Sequence, residues 1–201
     1  MGALTQEQRK ADTRARLIKA AADLFARKGF HAVSAEAVAD AADRTTGALY
    51  SHFGGKDGLL LALVETWLEE SAARIATIVE AATDLDGRLL ALWRGFIAPH
   101  EEHGDAWLLL EFELWLHAVR EPIVAGRLAE RYATYRGLLA EPLVLWARDA
   151  RVGALDRPER VAANVIGLLL GLAMQQRIDP TAVPDDLVVD ALRSTIQGAC
   201  R

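Results

Sequence analysis

Side chains suited to nucleic-acid binding are concentrated between Ser34 and Lys56, in the segment SAEAVADAADRTTGALYSHFGGK. Its second half offers hydroxyls, a phenol and an imidazole, with no long acidic side chain among them: Thr45, Thr46, Tyr50, Ser51 and His52. Such groups donate hydrogen bonds to phosphates and contact base edges in the major groove. The segment therefore predicts a surface that binds nucleic acid.

Two short helices joined by a tight turn would position these side chains. The pattern predicts helices over residues 36–42 and 45–53. Ser34 can cap the first helix by accepting an orphan backbone N–H, and Gly54-Gly55 can end the second. A helix with such a polar surface can lie in a major groove.

The turn between the two helices holds Asp43 and Arg44. Aspartate tolerates the left-handed backbone of a tight turn better than most residues do. A guanidinium is too polar to take the place of a small buried side chain in the turn. We therefore expect Arg44 to reach solvent or DNA.

This segment resembles the DNA-binding half of the TetR family of bacterial repressors. That family combines a Ser or Thr cap, an apolar-Ala pair, a turn, Gly-x-Leu-Tyr-x-His-Phe and a later Lys; the matching residues here are Ser34, Val38-Ala39, 47–53 and Lys56. The turn departs from the family, which usually has Gly and an apolar residue there. The residues that we expect at the DNA are Ser34, Arg44, Thr45, Thr46, Gly47, Ala48, Tyr50, His52 and Lys56.

In the resembled family, the lysine at the position of Lys56 holds a phosphate together with the N-terminus of its helix. The physical chemistry agrees, because free backbone N–H groups and an ammonium together form an anion site. The resemblance thus implies a phosphate contact for Lys56.

The distribution of charge favours the same end of the chain. The 201 residues carry a net charge of −5, but residues 1–56 contain nine Lys or Arg against six Asp or Glu. Only this N-terminal segment is basic, so it is the part suited to phosphates. The single cysteine, Cys200, excludes an intrachain disulfide and fits a reducing cytoplasm. No apolar run follows a basic stretch near Met1, so we expect no signal peptide.

Apolar residues recur at helical spacing along the chain, which predicts an all-α protein of about nine helices. The first helix should start at about Arg9 or Asp12 and end at Lys28, and Lys56 should open a longer one. We predict a three-helix helix-turn-helix DNA-binding domain over residues 1–56. A helical ligand-binding and dimerisation domain should follow over residues 57–201.

One later segment is too apolar to face water on any side. Residues 161–174 are apolar except for Asn164, yet this stretch is too short to span a membrane. It is either the buried central helix of one protomer or a helix shared with a second copy. We favour the shared helix, packed with a helix from Asp185, and residues 167–180 look like the choline-responsive branch of the family. The expected homodimer interface comprises Asn164, Gly167, Leu168, Gly171, Leu172 and Leu192.

Most aromatic residues lie between residues 86 and 146. Glu111 is one helical turn from both Trp107 and Trp115, and a carboxylate between two indoles could bind a cation by charge and by cation–π attraction. Alternatively, these rings are core and Glu111 is salt-bridged or partly solvated. The candidate ligand site for a small-molecule inducer comprises Trp93, Phe96, Trp107, Glu111 and Trp115.

The sequence contains no motif of a common enzyme class: no Gly-x-Ser-x-Gly, no Gly-x-Gly-x-x-Gly and no P-loop. We therefore expect no catalytic residue and no cofactor. His100-Glu101-Glu102-His103 lacks the zinc spacing and reads as a polar turn, so we expect no metal. The remaining classes are a ligand-responsive repressor that binds a palindromic double-stranded DNA operator, and a helical protein–protein adaptor that has lost specific DNA binding.

Overall fold

A computed structural model describes residues 5–99 and 102–200. These residues form nine helices and no β-strand, as the hydrophobic periodicity predicts. The helices are α1 (Gln6–Lys28), α2 (Ala35–Ala41), α3 (Thr46–Phe53), α4 (Lys56–Glu80), α5 (Leu85–Ile97), α6 (Ala106–Ala118), α7 (Pro122–Asp149), α8 (Pro158–Ile178) and α9 (Asp185–Gln197).

Helix α1 begins earlier than predicted, because Thr5 and Gln8 form a capping box. The Thr5 hydroxyl accepts from Gln8 N at 3.2 Å, and Gln8 Oε1 accepts from Thr5 N at 2.8 Å. The predicted start at Arg9 or Asp12 was therefore wrong. The Thr-x-x-Gln signature that gives the correct start was already present in the sequence.

The chain divides into two compact units, and the first comprises Met1–Glu69 and Pro99–Leu128. Within it, α1, α2 and α3 pack together, and α1 also packs on α6. Fully buried residues from α1, α2 and α3 fill this core, among them Leu17, Phe25, Val38 and Leu49. Burial of these apolar side chains holds α3 in place.

The second unit comprises Glu70–Ala98 and Ala129–Arg201. In it, α9 packs against both α5 and α8. Asp185 joins α9 to α5, because its carboxylate accepts from Trp93 Nε1 at 3.0 Å and from Arg94 Nη2 at 2.8 Å. The division into units follows packing and not function, so the predicted functional boundary at residue 56 stays a prediction.

Helix α8 is longer than the apolar stretch from which it was predicted. It has 21 residues and is the one described helix that is long and apolar enough, by length and composition, to cross a membrane. The same composition suits a helix packed between protein surfaces, and one such helix is weak grounds for a membrane span. Four of its large apolar side chains are only half-buried in the single chain: Ile166, Leu168, Leu172 and Met174.

Candidate nucleic-acid interface

Helix α3 has one buried face and one exposed face. Leu49 is fully buried and Phe53 is 7% exposed, so these two side chains anchor the helix to the core. Tyr50 is 54% exposed although it is a large aromatic residue, and Gly47 and Ser51 beside it are also exposed. The outward face is therefore polar and open to a partner.

Both short helices carry hydroxyl caps, of which the cap at Ser34 was predicted from the sequence and the cap at Thr45 was not. Ser34 Oγ accepts from Ala37 N at 3.1 Å, and Thr45 Oγ1 accepts from Ala48 N at 3.1 Å. Each hydroxyl keeps its own O–H as a donor, because the cap uses only a lone pair. Gly54, in the left-handed conformation with φ 76°, ends α3 as expected.

Cations at the start of α1 lie beside the end of α3. The Arg14 guanidinium carbon is 5.5 Å from the centre of the Phe53 ring. Burial lowers the pKa of His52, and the positive charges of Lys10 and Arg14 lower it further. Lys10 and Arg14 of α1 therefore lie near His52 and Phe53, at the C-terminal end of α3.

Lys56 supports the loop between α1 and α2. Its ammonium donates to Phe30 O at 2.9 Å and to Val33 O at 2.8 Å, and it lies 4.2 Å from the centre of the Phe30 ring. Burial lowers the pKa of Lys56, while Asp57 and Glu113 raise it. An ammonium has three donors, so one N–H remains beyond these two bonds.

Arg44 is hydrogen-bonded to α1, and these partners were not predicted from the sequence. Its Nη2 donates to Asp12 Oδ2 at 2.9 Å, and its Nε donates to Thr13 Oγ1 at 3.3 Å. Asp43, with φ 54°, takes the left-handed conformation expected for the turn. The expectation that Arg44 must reach solvent or DNA omitted a third possibility, an ion pair with a carboxylate of the same chain. Only 23% of the Arg44 side chain is exposed.

Helix α6 contacts the same loop that Lys56 supports. Glu113 Oε2 accepts from Phe30 N at 2.7 Å, and His117 Nε2 lies 3.2 Å from Asp57 Oδ1. Sequence reasoning missed this connection, because a Glu and a His four residues apart on one helix also describe a surface pair. The helix-turn-helix is thus tied to a helix far along the chain.

The five candidate ligand residues are divided between the two units. Trp107 and Glu111 are buried on α6, and Glu111 Oε1 accepts from Trp115 Nε1 at 3.1 Å. Trp93 and Phe96 lie on α5 in the second unit, and the Trp93 indole donates to Asp185. Glu111 therefore lies beside Trp115 on α6, and a ligand site between the two indoles stays a prediction.

Five of the six candidate dimer residues reach the surface of α8. Asn164 and Gly167 are exposed, and Leu168, Gly171 and Leu172 are half-buried. Apart from the adjacent residues and the nearby backbone of α8 itself, no atom of the described residues lies within 4 Å of a Cβ built on Gly167 or Gly171. Leu192 is fully buried inside its own protomer, so it has no surface to offer a partner.

The predicted polar turn before α6 is only partly described, because His100 and Glu101 lie outside the described residues. Glu102 pairs with Lys19 at 3.2 Å, and His103 Nε2 lies 3.0 Å from Asp23 Oδ1. Within residues 5–99 and 102–200, no group of three or more His, Cys, Asp or Glu side chains could hold a metal ion.

An exposed polar helix set on a small helical core, with a capped turn before it, defines a helix-turn-helix transcription regulator. Residues 17–63 match the family of bacterial regulatory proteins, tetR family, and residues 85–201 match the BetI-type transcriptional repressor C-terminal family. The chain belongs to the TetR family. The resemblance to the TetR family that the sequence carries is confirmed, and the C-terminal domain is of the BetI type.

Individual relatives are transcription regulators of similar length. The regulator UidR of Escherichia coli K12 is 28% identical over 191 residues, 92% of each chain. Salmonella enterica GusR has a TM-score of 0.73 and 24% identity, covering 98% of this chain and 97% of that chain. A regulator from Saccharomonospora viridis in complex with choline has a TM-score of 0.66 and 19% identity, covering 93% and 96%.

Proposed function

We propose that the protein is a cytoplasmic repressor that binds a palindromic operator as a homodimer and is released by a small-molecule inducer. The exposed polar face of α3, bordered by the cations of α1, is the observation that carries this proposal. The residues proposed to meet DNA are Ser34, Thr45, Thr46, Gly47, Ala48, Tyr50, His52 and the third N–H of Lys56.

The half-buried apolar residues of α8 support the homodimer. Glycines at positions 167 and 171 are one turn apart and open to the outside, so a second helix can approach closely there. One α3 reads few bases, whereas two that lie about 34 Å apart read the two halves of a palindrome. An inducer that prefers a different separation lowers DNA affinity by its differential binding.

Selection from a random-sequence duplex pool tests the proposal. The wild-type protein should recover a palindromic duplex, and its affinity for that duplex should fall steeply as salt concentration rises. A helical adaptor that had lost specific DNA binding would recover no shared sequence. That outcome would reject the repressor, and the DNA upstream of the gene itself provides a second probe.

Tyr50→Ala should reduce discrimination between duplexes. Tyr50 is 54% exposed at the centre of the open face, so its removal leaves the core of the unit intact. We expect the preference for the selected duplex over a scrambled one to fall by about tenfold, the size of one lost base contact. Paired binding titrations measure this ratio; an unchanged ratio would remove Tyr50 from the reading surface.

DNA binding should strengthen as pH falls from 8 to 6. The pKa of His52 is lowered in the free protein, so the imidazole is neutral near pH 7. Neighbouring phosphates favour the charged form, so binding takes up a proton and becomes tighter at lower pH. Fluorescence anisotropy across this range should show the trend in the wild type and lose most of it in His52→Gln. An equal pH dependence in both proteins would contradict the role.

The carboxylate of Glu111 is proposed to bind an organic cation between Trp107 and Trp115. The choline complex within the same fold makes choline the first probe, although that structure shares only 19% identity and assigns no residue here. If a screened cation releases the selected duplex, Glu111→Gln should weaken that response by about tenfold, because a charged attraction is lost. A response of unchanged strength would reject the carboxylate.

A further inference from the structure

The turn of the helix-turn-helix contains an arginine that is paired with a carboxylate on another helix. Arg44 donates to Asp12 at 2.9 Å and to Thr13 at 3.3 Å, and a third bond runs from Nη1 to the carbonyl of Asp43 at 2.6 Å. The guanidinium thus joins α1 to the backbone of the turn that sets the direction of α3. We propose that Arg44 is a positioning residue that Asp12 holds in place, and that it fixes α3 for specific reading without itself contacting phosphate.

Three features favour this positioning role, which we call the clamp, rather than a contact between Arg44 and phosphate. The bonds of Arg44 leave from three different nitrogens, Nε, Nη1 and Nη2, which fixes the plane of the guanidinium as well as its position. Only 23% of the side chain is exposed. The backbone N–H of Arg44 also donates to Ala39 O at 2.9 Å, which ties the same residue to the end of α2.

The pairing also limits non-specific binding. Asp12 receives Arg16 Nε at 3.0 Å as well as Arg44, so one carboxylate offsets two cations next to the proposed DNA surface. A cation that already has a close counter-ion releases fewer counterions from DNA than a free one does. The proposed clamp therefore favours discrimination between sequences over general affinity for DNA.

The test compares Asp12→Asn, Arg44→Met and the double variant in the full-length protein. Each is titrated against the duplex recovered by the wild type and against a scrambled duplex, between about 50 and 200 mM KCl. If Arg44 is the clamp, each single change lowers affinity for the recovered duplex by about fivefold to tenfold, and the double variant is no worse than Arg44→Met. Affinity of Arg44→Met for the scrambled duplex, and its salt slope, stay at the wild-type values.

Two results would overturn the inference. If Arg44 contacts phosphate, Arg44→Met weakens binding to both duplexes by the same factor and reduces the salt slope by about 0.9. If Asp12 merely masks Arg44, Asp12→Asn tightens binding to both duplexes and leaves their ratio unchanged. Arg16→Gln is the matched control, because it removes the other partner of Asp12 and leaves Arg44 paired; its preference for the recovered duplex should not change.

The inference rests on the proposed function, and the two can fail separately. A wild-type protein that recovers no duplex rejects the proposed function. A wild-type protein that recovers one, with variants that behave as a phosphate contact predicts, rejects the clamp alone. Asp12 is 42% exposed, so Asp12→Asn should fold even if Arg44→Met does not, and thermal unfolding checks each variant.

Discussion

Gly167→Glu should disrupt the proposed homodimer and lower the affinity of the protein for the recovered duplex by about a hundredfold. No atom lies within 4 Å of a Cβ at Gly167, so a single protomer accommodates the new side chain. In the proposed dimer, the same side chain would place an unpaired carboxylate between packed helices, which is strongly unfavourable. Loss of the partner removes the second reading helix and with it the gain from two linked contacts.

Light scattering coupled to size-exclusion chromatography measures the mass directly. The control is Gly137→Glu on α7, where the glycine is also exposed and nothing lies within 4 Å of the added Cβ. This control changes the charge equally and should stay dimeric. A Gly167→Glu protein that remains a dimer would show that α8 does not form the interface.

Lys56→Met should reduce the free energy of unfolding by about 1–3 kcal/mol, because two part-buried carbonyls lose a charged donor. The ammonium satisfies the carbonyls of Phe30 and Val33, and methionine cannot donate to either. Urea unfolding measures the loss. Lys28→Met, which changes an exposed lysine at the end of α1, should stay within about 0.5 kcal/mol of the wild type.

The same variant separates the two roles proposed for Lys56. If the third N–H also meets a phosphate, the folded Lys56→Met protein binds every duplex more weakly by a common factor. If Lys56 only supports the loop, stability falls while binding by the folded protein is kept. A variant as stable as the wild type would contradict the supporting role, whatever its affinity for DNA.

Local patterns allowed much of the helix-turn-helix to be predicted from the sequence. Ser34 and Gly54 act within a few residues of themselves, so their capping roles follow from their types and spacing. Tyr50 was expected on the open face as one of the polar residues that the second helix carries. Such short-range effects are visible without knowledge of tertiary contacts.

Contacts between residues that are far apart along the chain could not be predicted from the sequence. Arg44 finds Asp12 at a separation of 32 residues, and Phe30 finds Glu113 at a separation of 83. Neither pair carries a spacing rule, because only the packing of the helices brings the partners together. The ligand prediction had the same difficulty, since Trp93 bonds to a residue 92 positions away.

The first unit draws its helices from two separate stretches of chain, and this has a consequence during synthesis. Helices α1 to α3 emerge from the ribosome first, but α6, on which α1 packs, lies in the stretch Pro99–Leu128. The loop around Phe30 therefore lacks its Glu113 acceptor until α4, α5 and α6 have been translated. Helices α1 to α3 are synthesised early, but their contacts with α6 form only later. The nascent chain therefore carries an incompletely packed helix-turn-helix until α6 has been synthesised.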